Sequence, residues 1–183
     1  MTEEPADRAA LRDGRLLIRP TEAQDIPTIT RIYDHHVRHG LGSFEENPPG
    51  ETEMMERWRA ILAAGYPYVV AVRRAENRVL GYAYLSAYRP RPAYRFTVED
   101  SVYVAPDGQG AGVGAVLLAH LIDQAMARGC RQMVAMIGDR DNHGSIRLHE
   151  KLGFRQAGHL ADVGFKKGRW VDVIIMQRAL DPG

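Results

Sequence analysis

The sequence contains a single cysteine, hardly any excess of charge and no long apolar run, and each of these absences excludes a class of protein. One cysteine, Cys130, cannot form a disulfide within the chain. No segment approaches the apolar length of a signal peptide or a transmembrane helix. We therefore expect a cytoplasmic protein that acts without a membrane.

Charge and histidine content exclude two further classes of function. The 24 Lys and Arg residues nearly balance the 23 Asp and Glu residues, and a net charge of +1 offers no broad positive field for nucleic acid. His35 and His39 are four residues apart, but no Glu or Cys set completes a metal site beside them. We expect no nucleic acid partner and no metal, so an anionic ligand must be held by local groups.

Length and composition are those of one globular domain. A chain of 183 residues with 45% hydrophobic residues can bury a core without disulfides or metals. Residues 1–14 are polar and charged with no apolar period, which predicts a mobile tail. The domain is expected to span residues 15–183.

Apolar spacing and turn residues divide this domain into strands and helices. Asp25 is a candidate N-cap for a first helix, and Thr52 is predicted to cap a second. A β-hairpin over residues 68–88 follows, and then a strand, a glycine-rich turn and a helix that begins within residues 97–118. A strand at 132–137, a helix at 145–152 and a last strand at 170–177 complete the order. This order predicts an α/β (α+β) fold, with a mixed central sheet and helices on both faces.

The glycine-rich turn has the features of an anion site. Unpaired N–H groups and the positive end of a helix would meet there. A dinucleotide-binding fingerprint does not fit, because five residues separate the strand from Gly110, and a phosphate-binding loop of the Walker type lacks its Lys-Ser/Thr pair. The alternative is a flexible turn in which the glycines only allow the backbone conformation and no ligand binds.

Two motifs identify a family that the chain resembles. The segment Gln109-Gly110-Ala111-Gly112-Val113-Gly114 matches the pattern Gln/Arg-x-x-Gly-x-Gly/Ala, and residues 142–154, from Asn142 to Phe154, match a second segment. Both are typical of GCN5-related N-acetyltransferases (GNAT). The resemblance implies a single-domain GNAT fold with acetyl-CoA as acetyl donor. It further implies that residues 110–115, ending at Ala115, hold the pyrophosphate, and that Val102, Tyr103 and Val104 lie along the pantetheine arm. The family role of Asn142 is contact with the cofactor. Its position at a predicted helix start also suits a cap, and the two roles are compatible.

Three further features resemble the phosphinothricin and methionine sulfoximine branch of that family. They are residues 96–104, residues 164–173, and His149 at a position where most relatives have Tyr. The branch implies transfer of an acetyl group to the α-amino group of a small amino acid by a homodimer. An Arg of the sulfoximine members corresponds best to Arg89.

Acetyl transfer needs a base for the amine and a proton for the leaving thiolate. Strand alternation puts Glu99 and Ser101 on one face and Asp100 on the other, so the two acids should differ in role. The branch resemblance favours Glu99 as base, and two solvated acids are the alternative. His149 could return the proton, since His and Tyr can both protonate a thiolate, or it could be a buried core residue.

The acceptor pocket is expected around the mouth of this strand, with Glu99, Asp100 and Ser101. Arg suits the carboxylate of an amino acid because it can bind it in a bidentate fork. Arg89 is the first candidate and Arg91 the second, with a solvated basic loop as the alternative for Arg91. Phe44 and Tyr94 are candidate walls, or packing residues.

Direct transfer in a ternary complex is expected, since Cys130 is badly placed to carry an acyl group. Two alternatives stay open at this stage. One is an acetyltransferase for another amine, such as a protein N-terminus or a polyamine. The other is a binding module that senses acetyl-CoA without turning it over.

Overall fold

Residues 15–180 are described by the computed structural model, and the predicted tail at residues 1–14 lies outside them. Within this range the chain forms seven strands and four helices. The strands are β1 (Leu16–Pro20), β2 (Tyr68–Arg73), β3 (Arg78–Ala87), β4 (Thr97–Val104), β5 (Gln132–Gly138), β6 (Arg155–Lys166) and β7 (Arg169–Ala179). The helices are α1 (Ile26–His39), α2 (Glu51–Ala63), α3 (Val113–Ala127) and α4 (His143–Lys151).

All seven strands belong to one mixed sheet in the order β1-β2-β3-β4-β5-β7-β6. Only the β4–β5 pair is parallel, and the other neighbours are antiparallel. The predicted α/β class and mixed sheet are confirmed. The parallel pair requires a crossover, which α3 supplies between β4 and β5.

Apolar side chains of β2 alternate between two cores, one on each face of the sheet. Val69 and Ala71 join the core beneath α3, whereas Val70 and Val72 join the core beneath α1 and α2. Successive strand residues point to opposite faces, so a run of five buried residues in β2 serves both cores. Helices on both faces, as predicted, follow from this burial.

Strands β4 and β5 stay together over only a short distance. Their pairing covers Thr97, Val98 and Glu99 opposite residues 132–134 and then ends. Beyond Glu99, β4 continues beside β3, and β5 continues beside β7. A gap therefore opens in the middle of the sheet, and it faces the turn before α3.

Strand β6 is absent from the order that the sequence predicts. Its residues are mostly exposed, and its pairing with β7 is interrupted near Gly158 and again before Gly164. Bulges break the alternation of apolar and polar residues by which a half-buried strand is recognised. The predicted last strand at 170–177 is present as β7, whereas β6 was missed, and a turn at Lys167 and Gly168 joins the two.

The two predicted N-cap residues do not cap their helices through their side chains. Asp25 stands at the N-cap position of α1, but its carboxylate accepts the N–H of Glu22 at 2.8 Å and pairs with Arg19. Helix α2 begins at Glu51, with Gly50 before it, and Thr52 is already inside the first turn. No helix within residues 15–180 is long and apolar enough to cross a bilayer.

We expect Gly81→Ala to destabilise the protein by about 1–3 kcal/mol, because an added methyl group must be forced into a close-packed core. A Cβ at Gly81 would lie 2.8 Å from the carbonyl oxygen of Tyr103 and 3.1 Å from the side chain of Val113. Gly144→Ala, in α4, is the matched control, since a Cβ at Gly144 would meet no atom within 4 Å. Urea unfolding measures both variants, and equal midpoints would contradict the packing argument.

Candidate active site

The free edge of β4 faces the gap between β4 and β5. In an antiparallel pair, residues whose N–H and C=O bond to the neighbour alternate with residues whose groups point away. The N–H of Ala105 donates to the carbonyl of Leu80, which fixes this alternation along β4. The main-chain groups of Asp100, Val102 and Val104 therefore point toward the gap, where β5 has already diverged.

Tyr103 differs from its two neighbours in this respect. Its main-chain groups point to β3, and its side chain enters the core on the α1 side, where the ring lies 5.0 Å from the ring of Tyr82. Tyr103 is thus among the residues that line the cavity, as Val102 and Val104 are, but its backbone groups point away from the gap. Its contact with a ligand stays a prediction. The alternation of backbone direction along β4 is what distinguishes Tyr103 from Val102 and Val104.

His36 of α1 closes one end of this edge. Its Nε2 lies 2.8 Å from the carbonyl oxygen of Val104, and because a carbonyl can only accept, Nε2 carries the hydrogen. Burial lowers the pKa of His36 below its ordinary value, which favours the neutral ring. The sequence prediction did not include His36, because a contact across 68 residues leaves no local pattern.

The glycine-rich turn presents free amides at the start of α3. Gly110 and Gly112 have φ of +74° and +78°, a conformation that side-chain-bearing residues rarely adopt. Their N–H groups have no hydrogen-bond acceptor within residues 15–180, and neither do the first N–H groups of a helix in general. Amides and the helix dipole together make a positive region that suits an anion.

Asn142 stands at the start of α4 and caps it. Its Oδ1 accepts the N–H of Ser145 at 3.2 Å, so the cap half of the prediction is seen directly. The same side chain lies close to Gly42 and to the carbonyl of Gly138, 3.4 Å from its amide nitrogen. Asn142 therefore ties α4 to the end of β5 at the side of the gap.

Glu99 and Asp100 lie on opposite faces of the sheet, as alternation predicts. The register of β4 with β3 runs without a bulge from Val98 to Val104. Glu99 is half-buried, and its pKa is raised first by burial and then by the charge of Asp100, while Arg89 lowers it. Asp100 is buried and meets His149.

His149 is both a core residue and a polar partner. It is 3% exposed, and its ring packs edge to face on Phe154 at 5.0 Å. Its Nδ1 lies 2.8 Å from the carbonyl oxygen of Ser145, and its Nε2 lies 3.0 Å from Oδ2 of Asp100. Burial pulls the pKa of His149 down, but the hydrogen bond to Asp100, the charge of Asp100 and the bond to Ser145 together outweigh it, so the pKa is raised.

A single cavity of about 1080 Å³ joins these features. Most predicted site residues line it: Glu99, Asp100, Ser101, Val102, Tyr103, Val104, Gln109, Gly110, Gly112, Val113, Gly114, Ala115, Asn142 and His149. The predicted residues that lie outside its lining are Ala111, Arg89, Arg91, Phe44 and Tyr94. The cavity thus combines the strand edge, the turn and the acid–base groups.

Four of the predicted acceptor residues do not line the cavity, whereas Glu99, Asp100 and Ser101 do. The guanidinium of Arg89 stacks over the ring of Tyr88 at 5.1 Å, and Tyr94 packs edge to face on the same ring. Phe44 is 43% exposed and packs over Gly164, where a Cβ would lie 2.7 Å from the Phe44 ring. Arg91 is exposed in the turn between β3 and β4.

Tyr84 and a polar cluster near it were missed by sequence reasoning. Tyr84 lines the cavity opposite Ser101 in the β3–β4 register. The hydroxyl of Tyr33 donates to Glu45 at 2.7 Å, and Arg57 pairs with the same carboxylate. Alternation within the predicted hairpin could have placed Tyr84, but the Tyr33–Glu45–Arg57 cluster needs the packing of α1 on α2.

Residues 15–180 contain no cluster of three or more His, Cys, Asp or Glu that could hold a metal ion. An open strand edge, free amides at a helix start and two acid–base groups instead share one cavity. Such a site defines an enzyme that binds an elongated ligand with an anionic end and moves protons beside it.

Comparison with known proteins identifies the family to which such an enzyme belongs. The sequence pattern of the acetyltransferase (GNAT) family matches residues 29–154. The phosphinothricin N-acetyltransferase of Alcaligenes faecalis is 53% identical over 166 residues, covering 91% of this chain and 83% of that protein. An L-methionine sulfoximine/L-methionine sulfone acetyltransferase of Pseudomonas paraeruginosa is 41% identical over 165 residues, covering 90% of this chain and 95% of that one.

A solved structure agrees with these relatives. The GNAT superfamily phosphinothricin acetyltransferase from Sinorhizobium meliloti, crystallised in complex with AcCoA, superposes with a TM-score of 0.88 at 46% identity. The match covers 92% of this chain and 90% of that chain. The chain belongs to the GNAT acetyltransferase family, and the resemblance inferred from its two motifs is confirmed.

Proposed function

We propose that the protein is an acetyl-CoA-dependent N-acetyltransferase for the α-amino group of a small amino acid such as phosphinothricin, methionine sulfoximine or methionine sulfone. One observation carries the proposal: Glu99 lies where β4 and β5 separate, at the head of an open strand edge that leads to the amide turn. The relatives that carry these substrate names match about nine-tenths of this chain. Transfer is direct, within a ternary complex.

The residues present fit acetyl-CoA. The N–H groups of Gly110, Gly112 and the first turn of α3 suit its pyrophosphate, and the free edge at Val102 suits the amide groups of its pantetheine arm. The AcCoA complex of the Sinorhizobium meliloti relative supports this assignment. When bound, acetyl-CoA supplies the acetyl group as a thioester.

The amino-acid acceptor is assigned to the side of Glu99. Its α-carboxylate pairs with Arg89, whose positive charge is close enough to Glu99 to lower the pKa of that carboxyl. Arg91 is the second candidate, and Phe44 and Tyr94 are the candidate walls of the acceptor pocket. Glu99 takes the proton of the amine, because burial and Asp100 raise its pKa toward the range useful for a base.

A carrier role for Cys130 conflicts with its position. The thiol is buried in the core beneath α3, and Cys130 is absent from the cavity lining. Burial also raises the pKa of the thiol, which disfavours the nucleophilic thiolate. Direct attack of the amine on the thioester needs no such carrier.

The proposed active form is a homodimer. Leu160, Val163, Phe165 and Trp170 are 42–63% exposed on the β6–β7 hairpin, and the rings of Phe165 and Trp170 lie 5.2 Å apart. A grouped apolar surface of this kind is typical of a protein interface. The cytoplasmic location and the single domain at residues 15–183 stay predictions.

The substrate proposal is tested by measuring release of free coenzyme A from acetyl-CoA with a panel of amines. We expect turnover with methionine sulfoximine, methionine sulfone or phosphinothricin. Turnover only with an N-terminal peptide or a polyamine would contradict the substrate class. Binding of acetyl-CoA without release of thiol to any amine would instead indicate a sensing module.

Glu99→Gln should lower kcat by about 10²–10⁴-fold, with the larger loss near pH 6.5 than near pH 9, because more amine is protonated at low pH. In the unaltered enzyme the rate should fall as pH drops through the raised pKa of Glu99, and this inflection should vanish in the variant. Glu76→Gln, in the exposed turn between β2 and β3, is the control. An unchanged pH profile would remove Glu99 from the role of base.

The dimer is tested by light scattering coupled to size exclusion. We expect the unaltered protein to run as a dimer and the double variant Phe165→Ser/Trp170→Ser to run as a monomer. Leu62→Ser is the matched control, because Leu62 is 44% exposed on α2, away from the hairpin. A monomeric unaltered protein, or a dimeric double variant, would refute this interface.

A further inference from the structure

Asp100 and His149 form a buried pair at the wall of the cavity. Their side chains are 2% and 4% exposed, and 3.0 Å separates Oδ2 of Asp100 from Nε2 of His149. Asp100 comes from β4 and His149 from α4, so this contact joins the strand at the gap to the helix beside it. Both residues also line the cavity.

Hydrogen-bond geometry fixes how many protons the pair holds. Nδ1 of His149 lies 2.8 Å from the carbonyl oxygen of Ser145, so this nitrogen must carry a hydrogen. Nε2 then faces a carboxylate oxygen, and two acceptors cannot hydrogen-bond without a proton between them. The pair therefore keeps one proton between Nε2 and Oδ2, in addition to the hydrogen on Nδ1.

The basicity of the two groups places that proton on the ring, because an imidazole is ordinarily a stronger base than a carboxylate. Asp100 makes no ion pair with Lys or Arg within residues 15–180, and its Oδ1 is buried without a hydrogen-bond partner. With the proton on the ring, the imidazolium gives this buried carboxylate an opposite charge. Its neighbour Glu99 adds negative charge from the other face of β4.

The other groups near His149 do not replace Asp100. Phe154, after α4, contributes only an uncharged ring. Arg147 and Lys151 lie on α4 and line the cavity, and positive charges there would disfavour a proton on the ring rather than hold it. The bond to Asp100 is what raises the pKa of His149 above its ordinary value.

We propose that Asp100 is a positioning residue that keeps His149 as an imidazolium, so that the pair stores the proton taken up by the leaving thiolate. This inference rests on the proposed acetyl transfer. It changes the role predicted for Asp100 from substrate binding to the support of His149. It also combines the two interpretations of His149, as proton donor and as buried residue, because a buried hydrogen bond to Asp100 keeps the ring protonated.

The proton balance of the step is as follows. The amine nitrogen forms a bond to the acetyl carbon, Glu99 receives the surplus proton of the amine, and the carbon–sulfur bond breaks with its electron pair on sulfur. The sulfur takes the proton from Nε2 of His149, which gives up its hydrogen bond to Oδ2 of Asp100 in this step and leaves the ring neutral. The ring regains a proton from solvent because the carboxylate of Asp100 then faces its lone pair.

Protonation of His149 can be measured without turnover. Long-range ¹H–¹⁵N correlation spectra report each ring nitrogen, and the His149 signals are those lost in His149→Asn. We expect both nitrogens to be protonated near pH 7.5 in the unaltered protein. In Asp100→Asn the titration should move to lower pH by about 1–3 units, the shift that a nearby opposite charge produces. An unprotonated Nε2 near pH 7.5 in the unaltered protein would overturn the proposal.

The pH profile of kcat is the second readout. Asp100→Asn should lower kcat by about 10–100-fold near pH 8.5 and by a smaller factor at lower pH, where a larger fraction of the ring carries a proton even without Asp100. Asp172→Asn is the matched control, because Asp172 is also a buried partner of a histidine, His159, but lies outside the cavity lining. A loss of kcat that is equal at every pH would assign Asp100 a purely structural role and refute the proposal.

These measurements separate the inference from the proposed function. If no amine is acetylated, the proposed function fails, while the spectra still decide the state of the pair. If the amino acids are acetylated but His149 is neutral, the inference alone fails.

Discussion

The separation of β4 from β5 after Glu99 is the constraint on which the rest of the structure depends. Parallel strands normally continue side by side, because each unpaired N–H and C=O in a protein interior must find another partner. Here the pairing ends after three residues, and the gap exposes the edge of β4 inside the molecule. A ligand with its own amide groups can complete that edge, so the unpaired strand and the bound cosubstrate are two sides of one arrangement.

The remaining features of the site are arranged around this gap. Helix α3 begins where the edge of β4 ends and directs its free amides along the same path. Helix α4 covers the opposite side, with Asn142 tied to β5 and His149 tied to β4. The close approach of α4 to α3 requires Gly114, where a Cβ would lie 3.2 Å from the side chain of Leu148. Cosubstrate binding and proton handling are therefore built on the same two helices.

Strand alternation explains why two adjacent acids have different chemistry. Glu99 and Asp100 differ by one position, which puts them on opposite faces of the sheet and in different surroundings. Glu99 forms no ion pair with any residue of the described range 15–180 and has a raised pKa, whereas Asp100 has an imidazole 3.0 Å away. One half-buried carboxylate can accept a proton, and its buried neighbour can hold one in place on a histidine. In the proposed mechanism, two acids adjacent in sequence thus serve the two ends of one transfer.

The sequence by itself determined the family, the mixed sheet and the cavity-lining turn, because these depend on local periods and on glycines at fixed spacing. It also determined that Glu99 and Asp100 face different ways, since alternation is a property of the strand itself. Only the tertiary structure decided that Asp100 meets His149, 49 residues away, and that His36 bonds to Val104 across 68 residues. Such contacts depend on how α1 and α4 pack on the sheet, and no local pattern encodes them. Strand β6 belongs to the same group, because its bulged residues are defined as a strand only by pairing with β7.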